Sequence, residues 1–258
     1  MTSLTRCHPR ASPTRPHMPV TAPVQTLKFH LTVISYPHER AQDAFVIHMS
    51  TIVIFAGGEH PDRSVVEELP TGALTFAADG GYHLAAHLGF GVDVLVGDLD
   101  SVDVGLLPDR LTVERHSPDK DHTDLDLAIE LATREEPARV IVVGGTGGRH
   151  DHELATAMLL TSPRWAGIEE IDWISGRSRA HVIRGRRMIH GDIGTTLSLI
   201  PGVEGAFGIQ TKGLRWNLAG EDLEAGATRG VSNVMTSPVA DIRVGLGCLL
   251  AVIPTDQP

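Results

Sequence analysis

Between residues 51 and 143, short apolar runs alternate with helix-like stretches, and this alternation restricts the chain to an α/β architecture. The runs fall at 51–56, 73–78, 92–97, 111–115 and 139–143, and the clearest helical stretches are Tyr82–Leu88, Thr123–Thr133 and Asp151–Leu160. A strand that is apolar throughout must be covered on both faces, and helices between successive strands provide that cover in a parallel sheet. Thr123 stands where an N-cap belongs, with Asp126 three residues on, a capping box with Asp in place of Glu. After about Trp165 the pattern changes. Glu170–Ile174, Ala180–Arg184, Thr196–Ile200 and Leu249–Ile253 are short runs separated by glycines with no helical period between them. Such a pattern belongs to a compact antiparallel β domain. The expected fold is α/β: an N-terminal parallel-sheet α/β domain over 49–165, then a small C-terminal antiparallel β domain over 166–258, with the boundary near Ser162-Pro163.

The first 48 residues read differently. They hold six of the 16 prolines and carry a net +3 in a chain of net charge −10. Prolines at 9, 13, 16, 19 and 23 would break the amphipathic helix of a targeting peptide. Residues 1–48 are expected to be a disordered or extension arm, with the folded part starting at Met49. The acidic balance argues against nucleic acid or an anionic membrane as partner. Cys7 and Cys248 are the two cysteines, at opposite ends, so no disulfide framework or Cys-based zinc site is expected, and the usage fits a reducing cytoplasm. No apolar run approaches the roughly 18 residues that span a bilayer.

Four acidic and glycine-rich clusters follow the strand-like runs: Asp79-Gly80-Gly81; Gly97-Asp98-Leu99-Asp100-Ser101; Asp119-Lys120-Asp121-His122-Thr123-Asp124; and Gly144-Gly145-Thr146-Gly147-Gly148-Arg149-His150-Asp151-His152. Each has an ordinary reading. Asp-Gly-Gly is a common turn, Asp98 and Ser101 suit a strand end, and Asp121 and Asp124 suit a helix N-terminus. Together they point elsewhere, because ligands of open α/β sheets bind beyond the carboxyl ends of the strands, and gathered carboxylates repel without a cation between them. If the strand before Asp98 continued, Asp98 and Asp100 would share one side and one metal. The glycine run ahead of a helix has the composition of a phosphate cradle, and the Arg149 fork suits phosphate oxygens. It matches neither the Walker A pattern nor the dinucleotide-binding pattern. His150 and His152 read as a surface pair. In the C-terminal part, Trp216 between Arg215 and Asn217 suggests a partly exposed ring, and Ser232-Asn233 offer neutral hydrogen bonds that could orient a heterocycle.

As an ordered series, Asp79-Gly80-Gly81, Gly97-Asp98-Leu99-Asp100-Ser101, Asp119–Asp124, Gly147-Gly148-Arg149-His150-Asp151, Gly213-Leu214-Arg215-Trp216-Asn217 and Ser232-Asn233 resemble the thiamin pyrophosphokinase family from about Ile52 to Val252. His150 departs from the usual apolar residue between Arg149 and Asp151. The resemblance implies a homodimer with an N-terminal catalytic domain and a C-terminal β domain that helps bind thiamin. It implies transfer of the pyrophosphoryl group of ATP to the thiamin hydroxyl, with release of AMP. Magnesium would be held by some of Asp79, Asp98, Asp100 and Asp121. Catalysis would rest on Asp98, Asp100, Asp121 and Arg149. ATP and its metal would be met by Asp79, Lys120, Thr123, Asp124, Gly147, Gly148, Arg149 and Asp151, and thiamin by Trp216, Ser232 and Asn233. Two other enzyme readings stay open on the residues alone. Asp98–Val102 imitates the motif of aspartate-nucleophile phosphatases, and the pyrophosphoryl acceptor could be another alcohol such as a pterin. A sensor with a decayed site is the non-enzyme alternative.

Overall fold

The computed structural model describes residues 50–100 and 102–255, so residues 1–48 lie outside the described residues. Strand β1 (Thr51–Ala56) leads to β2 (Leu74–Ala78), α1 (Gly81–Leu88), β3 (Val94–Gly97), β4 (Thr112–Arg115), α2 (Asp124–Ala132), β5 (Arg139–Gly144), α3 (His150–Leu160) and β6 (Glu170–Ile174). There follow β7 (Ser178–Ile183), β8 (Arg186–His190), β9 (Thr196–Lys212), β10 (Ala219–Leu223), β11 (Asn233–Val234), β12 (Val239–Arg243) and β13 (Leu246–Pro254). The strands form one mixed sheet in the order β4-β3-β2-β1-β5-β6-β7-β13-β9-β12-β8, with β10 and β11 paired to β9. The described residues fall in a single compact unit.

Strand β1 is central and parallel to both neighbours, β2 and β5. Its run Ile52-Val53-Ile54-Phe55-Ala56 is buried residue by residue because both faces are covered. Ile52 and Ile54 pack with Leu125, Ala128 and Ile129 of α2 and Leu160 of α3. Val53 and Phe55 pack with Leu84, Ala85 and Leu88 of α1 on the opposite face. Burying each such large side chain contributes about 1.5–3 kcal/mol. Helix α2 begins as the sequence suggests: the Thr123 hydroxyl accepts the Asp126 amide at 3.2 Å. Helix α1 ends at Gly89, in the left-handed region at φ 86°.

The C-terminal strands are antiparallel and close a third core around Ile183, Leu197, Leu199, Ile209 and Leu249. Two expectations change here. Glu170–Ile174, read as the start of the antiparallel part, pairs parallel with β5 and antiparallel with β7. Thr196–Ile200 is the first third of a 17-residue strand. Pro201, Gly202, Gly205 and Gly208 hid that continuity, and Gly205 and Gly208 have φ of 85° and 63° along the strand.

One buried carboxylate ties β5, β6, β7 and β8 together. Asp172 is 2% exposed. It accepts hydrogen bonds from His181 Nδ1 at 2.6 Å, Arg187 Nη2 at 2.9 Å, Arg139 Nε at 2.8 Å and Arg139 Nη2. Burial alone would raise its carboxyl, but the His181 hydrogen bond and the charges of Arg187 and Arg139 outweigh burial and hold it far below the usual carboxylate range. A depressed carboxyl stabilises the fold at every pH above its unfolded value, and that contribution is lost only as the pH falls through the depressed value.

Candidate active site

The sheet order sets the place of the site. From β1 the chain runs outward through β2, β3 and β4, then returns to lay β5 on the other side of β1. The carboxyl ends of β1 and β5 therefore flank the switch point where α/β sheets bind ligands. Two glycine loops are joined there. The Glu59 amide donates to the Thr146 carbonyl at 2.6 Å, and the Gly145 amide donates to the Gly57 carbonyl at 3.0 Å. A Cβ on Gly58 would lie 2.3 Å from the Thr146 carbonyl oxygen, so only glycine lets these backbones approach. Beside them opens a cavity of about 810 Å³, lined by Gly57, Gly58, Asp79, Gly80, Asp121, Thr123, Asp124, Gly145, Gly147, Gly148 and Arg149, among others.

Asp79, Asp98 and Asp100 each bring a carboxylate oxygen within 4.8 Å of the others. A turn, not strand alternation, brings Asp98 and Asp100 together. Strand β3 ends at Gly97, Leu99 takes φ 66° with its side chain buried, and the Asp100 amide donates to Asp98 Oδ1 at 3.1 Å. Asp79 also sits at positive φ (42°), with its amide donating to the Val96 carbonyl at 2.8 Å. Left-handed backbone at non-glycine residues costs about 1–3 kcal/mol and collects at functional sites. The Asp98 charge, then that of Asp79, raises the Asp100 carboxyl above its ordinary value. Such crowded oxygen donors fit a hard divalent cation.

The remaining candidates divide. Asp121 lines the cavity but is not one of the three gathered carboxylates. Lys120 Nζ lies 3.0 Å from Asp124 Oδ1 and 3.7 Å from Asp98 Oδ2, linking the third acidic cluster to the second. Gly147 and Gly148 both adopt positive φ, and Gly147 leaves no room for a Cβ beside Glu59. Arg149 is the N-cap of α3, and its exposed guanidinium is paired with Asp151 through Nε at 3.2 Å and Nη2 at 2.6 Å. The Arg149 hydrogen bond lowers the Asp151 carboxyl to about 2. His150 and His152 are exposed, and His152 also lines the cavity.

A second concavity, of about 630 Å³, surrounds Trp216 and includes Arg215, Asn217, Arg229, Ser232 and Asn233. Trp216 is 55% exposed, and the Arg215 guanidinium lies 4.8 Å from its ring centroid. Asn233 differs from its expected role. It is buried, with Oδ1 accepting the Trp216 amide at 3.1 Å and the Val234 amide at 2.9 Å, and Nδ2 donating to the Trp216 carbonyl at 2.8 Å. Its amide therefore fixes the Trp216 backbone and has little left for a ligand. Ser232 is exposed at φ 61°.

Sequence reasoning missed two groups. Gly57-Gly58-Glu59 directly follows β1, the same arrangement that marked the other clusters. Beside the cavity, Asp126 accepts His122 Nδ1 at 2.8 Å and Arg164 Nη1 at 3.0 Å, a pairing for which the sequence carried no sign because Arg164 lies 38 residues away.

Acidic and glycine loops gathered at the carboxyl ends of an α/β sheet, with an attached antiparallel β region, give the chain the layout of an α/β enzyme. The model of the thiamin pyrophosphokinase catalytic domain matches residues 67–169, and that of the thiamin pyrophosphokinase vitamin B1 binding domain matches residues 180–249. A thiamine pyrophosphokinase of Bacillus subtilis is 26% identical over 230 residues, covering 81% of this chain and all of the relative. Thiamine pyrophosphokinase 1 of Oryza sativa subsp. japonica is 29% identical over 160 residues, and the match spans 55% of this chain and 59% of that relative's length. Among solved structures, the thiamine pyrophosphokinase of Bacillus subtilis superposes with a TM-score of 0.68 at 25% identity, over 80% of this chain and 100% of that one. The Candida albicans enzyme shares the fold, with a TM-score of 0.64 at 11% identity over 79% and 88% of the two chains. The chain belongs to the thiamin pyrophosphokinase family. No helix among the described residues is long and apolar enough to cross a membrane.

Proposed function

We propose that the chain is a thiamin diphosphokinase that transfers the pyrophosphoryl group of ATP to the hydroxyl of thiamin, giving thiamin diphosphate and AMP. The observation that carries this reading is the gathering of Asp79, Asp98 and Asp100 beside two interlocked glycine loops. Those three carboxylates would hold Mg²⁺, which when bound offsets the charge of the polyphosphate. In the reaction the thiamin oxygen forms a bond to the β-phosphorus while the bond from that phosphorus to the α-phosphate oxygen breaks, and the hydroxyl proton is released. The Gly147–Arg149 loop would offer backbone amides to the phosphates ahead of α3, and Lys120 and Arg149 would supply positive charge as the leaving oxygen becomes anionic. Asp121, Thr123 and Asp124 form the adjoining wall. Most of the acceleration comes from alignment in the cleft.

Thiamin is assigned to the Trp216 pocket, and the antiparallel region to its binding, with the α/β part carrying ATP. The same resemblance implies a homodimer. Cysteine usage supports a cytoplasmic setting. Incubation with ATP, Mg²⁺ and thiamin should yield AMP and thiamin diphosphate together. Formation of ADP with thiamin monophosphate, or of inorganic phosphate alone, would overturn the reading.

Trp216 tests the division of labour. An exposed ring stacking on a cationic heterocycle contributes roughly 0.5–2 kcal/mol, a factor of about two to thirty in affinity. Trp216→Ala is expected to raise the thiamin KM within that range and leave the ATP KM nearly unchanged, with Trp216→Phe recovering part of the loss. A shift in the ATP KM alone would place the nucleotide, not thiamin, on this ring.

A further inference from the structure

Three exposed histidines come together on the segments that leave the neighbouring strands β1 and β2. Helix α1 carries His83 and His87, four residues apart, on the face opposite the buried Leu84, Ala85 and Leu88. Side chains at i and i+4 stand one above the other along a helix, with Cβ atoms about 5–6 Å apart. That is the spacing at which two helical imidazoles chelate one zinc ion. The third histidine belongs to the loop after β1. His60 meets His87 with ring centroids 4.7 Å apart and planes inclined by 39°. Its backbone is anchored on both sides, because the Glu59 amide donates to the Thr146 carbonyl at 2.6 Å and Pro61 is buried. Two separate segments therefore already hold imidazoles at one place, which lowers the ordering cost when a ligand arrives.

We propose that His60, His83 and His87 form a site for a late first-row divalent cation of the zinc, nickel or copper kind. Imidazole suits those ions and carboxylate oxygen suits magnesium, so this site and the Asp79, Asp98 and Asp100 cluster take different metals. Among the described residues, the three aspartates are the group whose ligand atoms already lie within 4.8 Å of one another. Closing the histidine site therefore takes side-chain rotation, which exposed residues complete in ps–ns. His83 and His87 chelate from one face of α1, and His60 supplies the third nitrogen. Water would take the fourth position of a tetrahedral zinc. The bound ion ties α1 to the loop that interlocks with Gly145 and Thr146, and so braces the glycine loops from outside the cavity.

Calorimetric titration of the full chain with zinc chloride tests the site, without nucleotide and in excess Mg²⁺ to occupy the carboxylates. His87→Gln should remove one zinc equivalent. His60→Gln and His83→Gln should each weaken that equivalent about tenfold or more, since losing even an outer-shell partner costs about 10–100-fold in metal affinity. Asp98→Asn should leave the isotherm unchanged. Zinc should also raise the melting temperature of the parent chain, because it binds the folded state, and this rise should vanish in His87→Gln. All three histidines are exposed, so the variants should melt with the parent in chelator. An unaltered isotherm in His87→Gln would overturn the site, and one in His60→Gln would overturn its third ligand. Loss of zinc in Asp98→Asn would place the ion on the carboxylates and overturn the proposal. None of these outcomes depends on the enzymatic reading.

Discussion

Asp98→Asn and Asp100→Asn are each expected to reduce turnover by about 10²–10³, the scale for removing one preorganised electrostatic contact at a reaction centre, while the metal-free protein keeps or gains stability. The second half of that expectation follows from Asp100, whose carboxyl is raised first by Asp98 and then by Asp79. A carboxyl raised in the folded state holds its proton to a higher pH than in the unfolded chain. Its ionisation therefore costs stability as the pH rises from the unfolded value through the raised one. Replacing either anion removes that cost. Thermal melts in chelator and steady-state rates at saturating Mg²⁺ check both halves. Near-normal rates in both variants would reject the shared cation, and a marked loss of metal-free stability would make these carboxylates structural.

Gly144→Ala is expected to cost about 2–5 kcal/mol of stability and to lower activity with it. Gly144 ends β5 at φ 91°, where an L residue is strained by about 1–2 kcal/mol. Its Cβ would lie 2.3 Å from the Ala56 carbonyl oxygen and 2.7 Å from Leu84 Cδ2, and overpacking of that kind adds about 1–3 kcal/mol. The clash is with backbone, so relief requires β1 and β5 to part at the end where the two glycine loops are joined. Urea denaturation measures the loss. A change below about 1 kcal/mol would show that these strand ends separate freely and that the loops are not held in register by Gly144.

What could be read from the sequence was whatever depends on local pattern. The buried strand 51–56 was legible because both its faces are apolar, and the helices were legible because they fall between strand-like runs and Thr123 caps one of them. The acidic and glycine clusters were legible because they repeat one arrangement, strand then cluster, four times. What depends on distant partners was not. The pairing of Glu170–Ile174 with β5 is set by where the chain returns after α3, and an apolar run of five residues reads alike in parallel and antiparallel neighbourhoods. Strand β9 carries Pro201 and several glycines because it bends while pairing with several partners, so its composition imitates a loop. Asn233 looked like a ligand contact because an Asn beside Ser in a glycine-rich stretch offers hydrogen bonds. Only the fold shows that Trp216, 17 residues earlier, accounts for two of its three hydrogen bonds. The proximity of Asp98 and Asp100 was anticipated for the wrong reason, since a left-handed Leu99 does what an extended strand was expected to do.

The double allegiance of β6 makes the molecule a natural candidate for splitting. Parallel to β5 on one side and antiparallel to β7 on the other, it is the seam along which the two kinds of sheet are joined. A chain severed in the loop at Ser162-Pro163 leaves β5 on one piece and β6 on the other, each with a bare row of backbone donors and acceptors. Such open edges invite self-association when a piece is made alone. Made together, the pieces present complementary edges in the register Arg139 to Glu170 through Val143 to Ile174, with Arg139 and Asp172 on opposite sides of the cut. Co-expressed halves should therefore find one another along that ladder and behave as a reconstituting reporter.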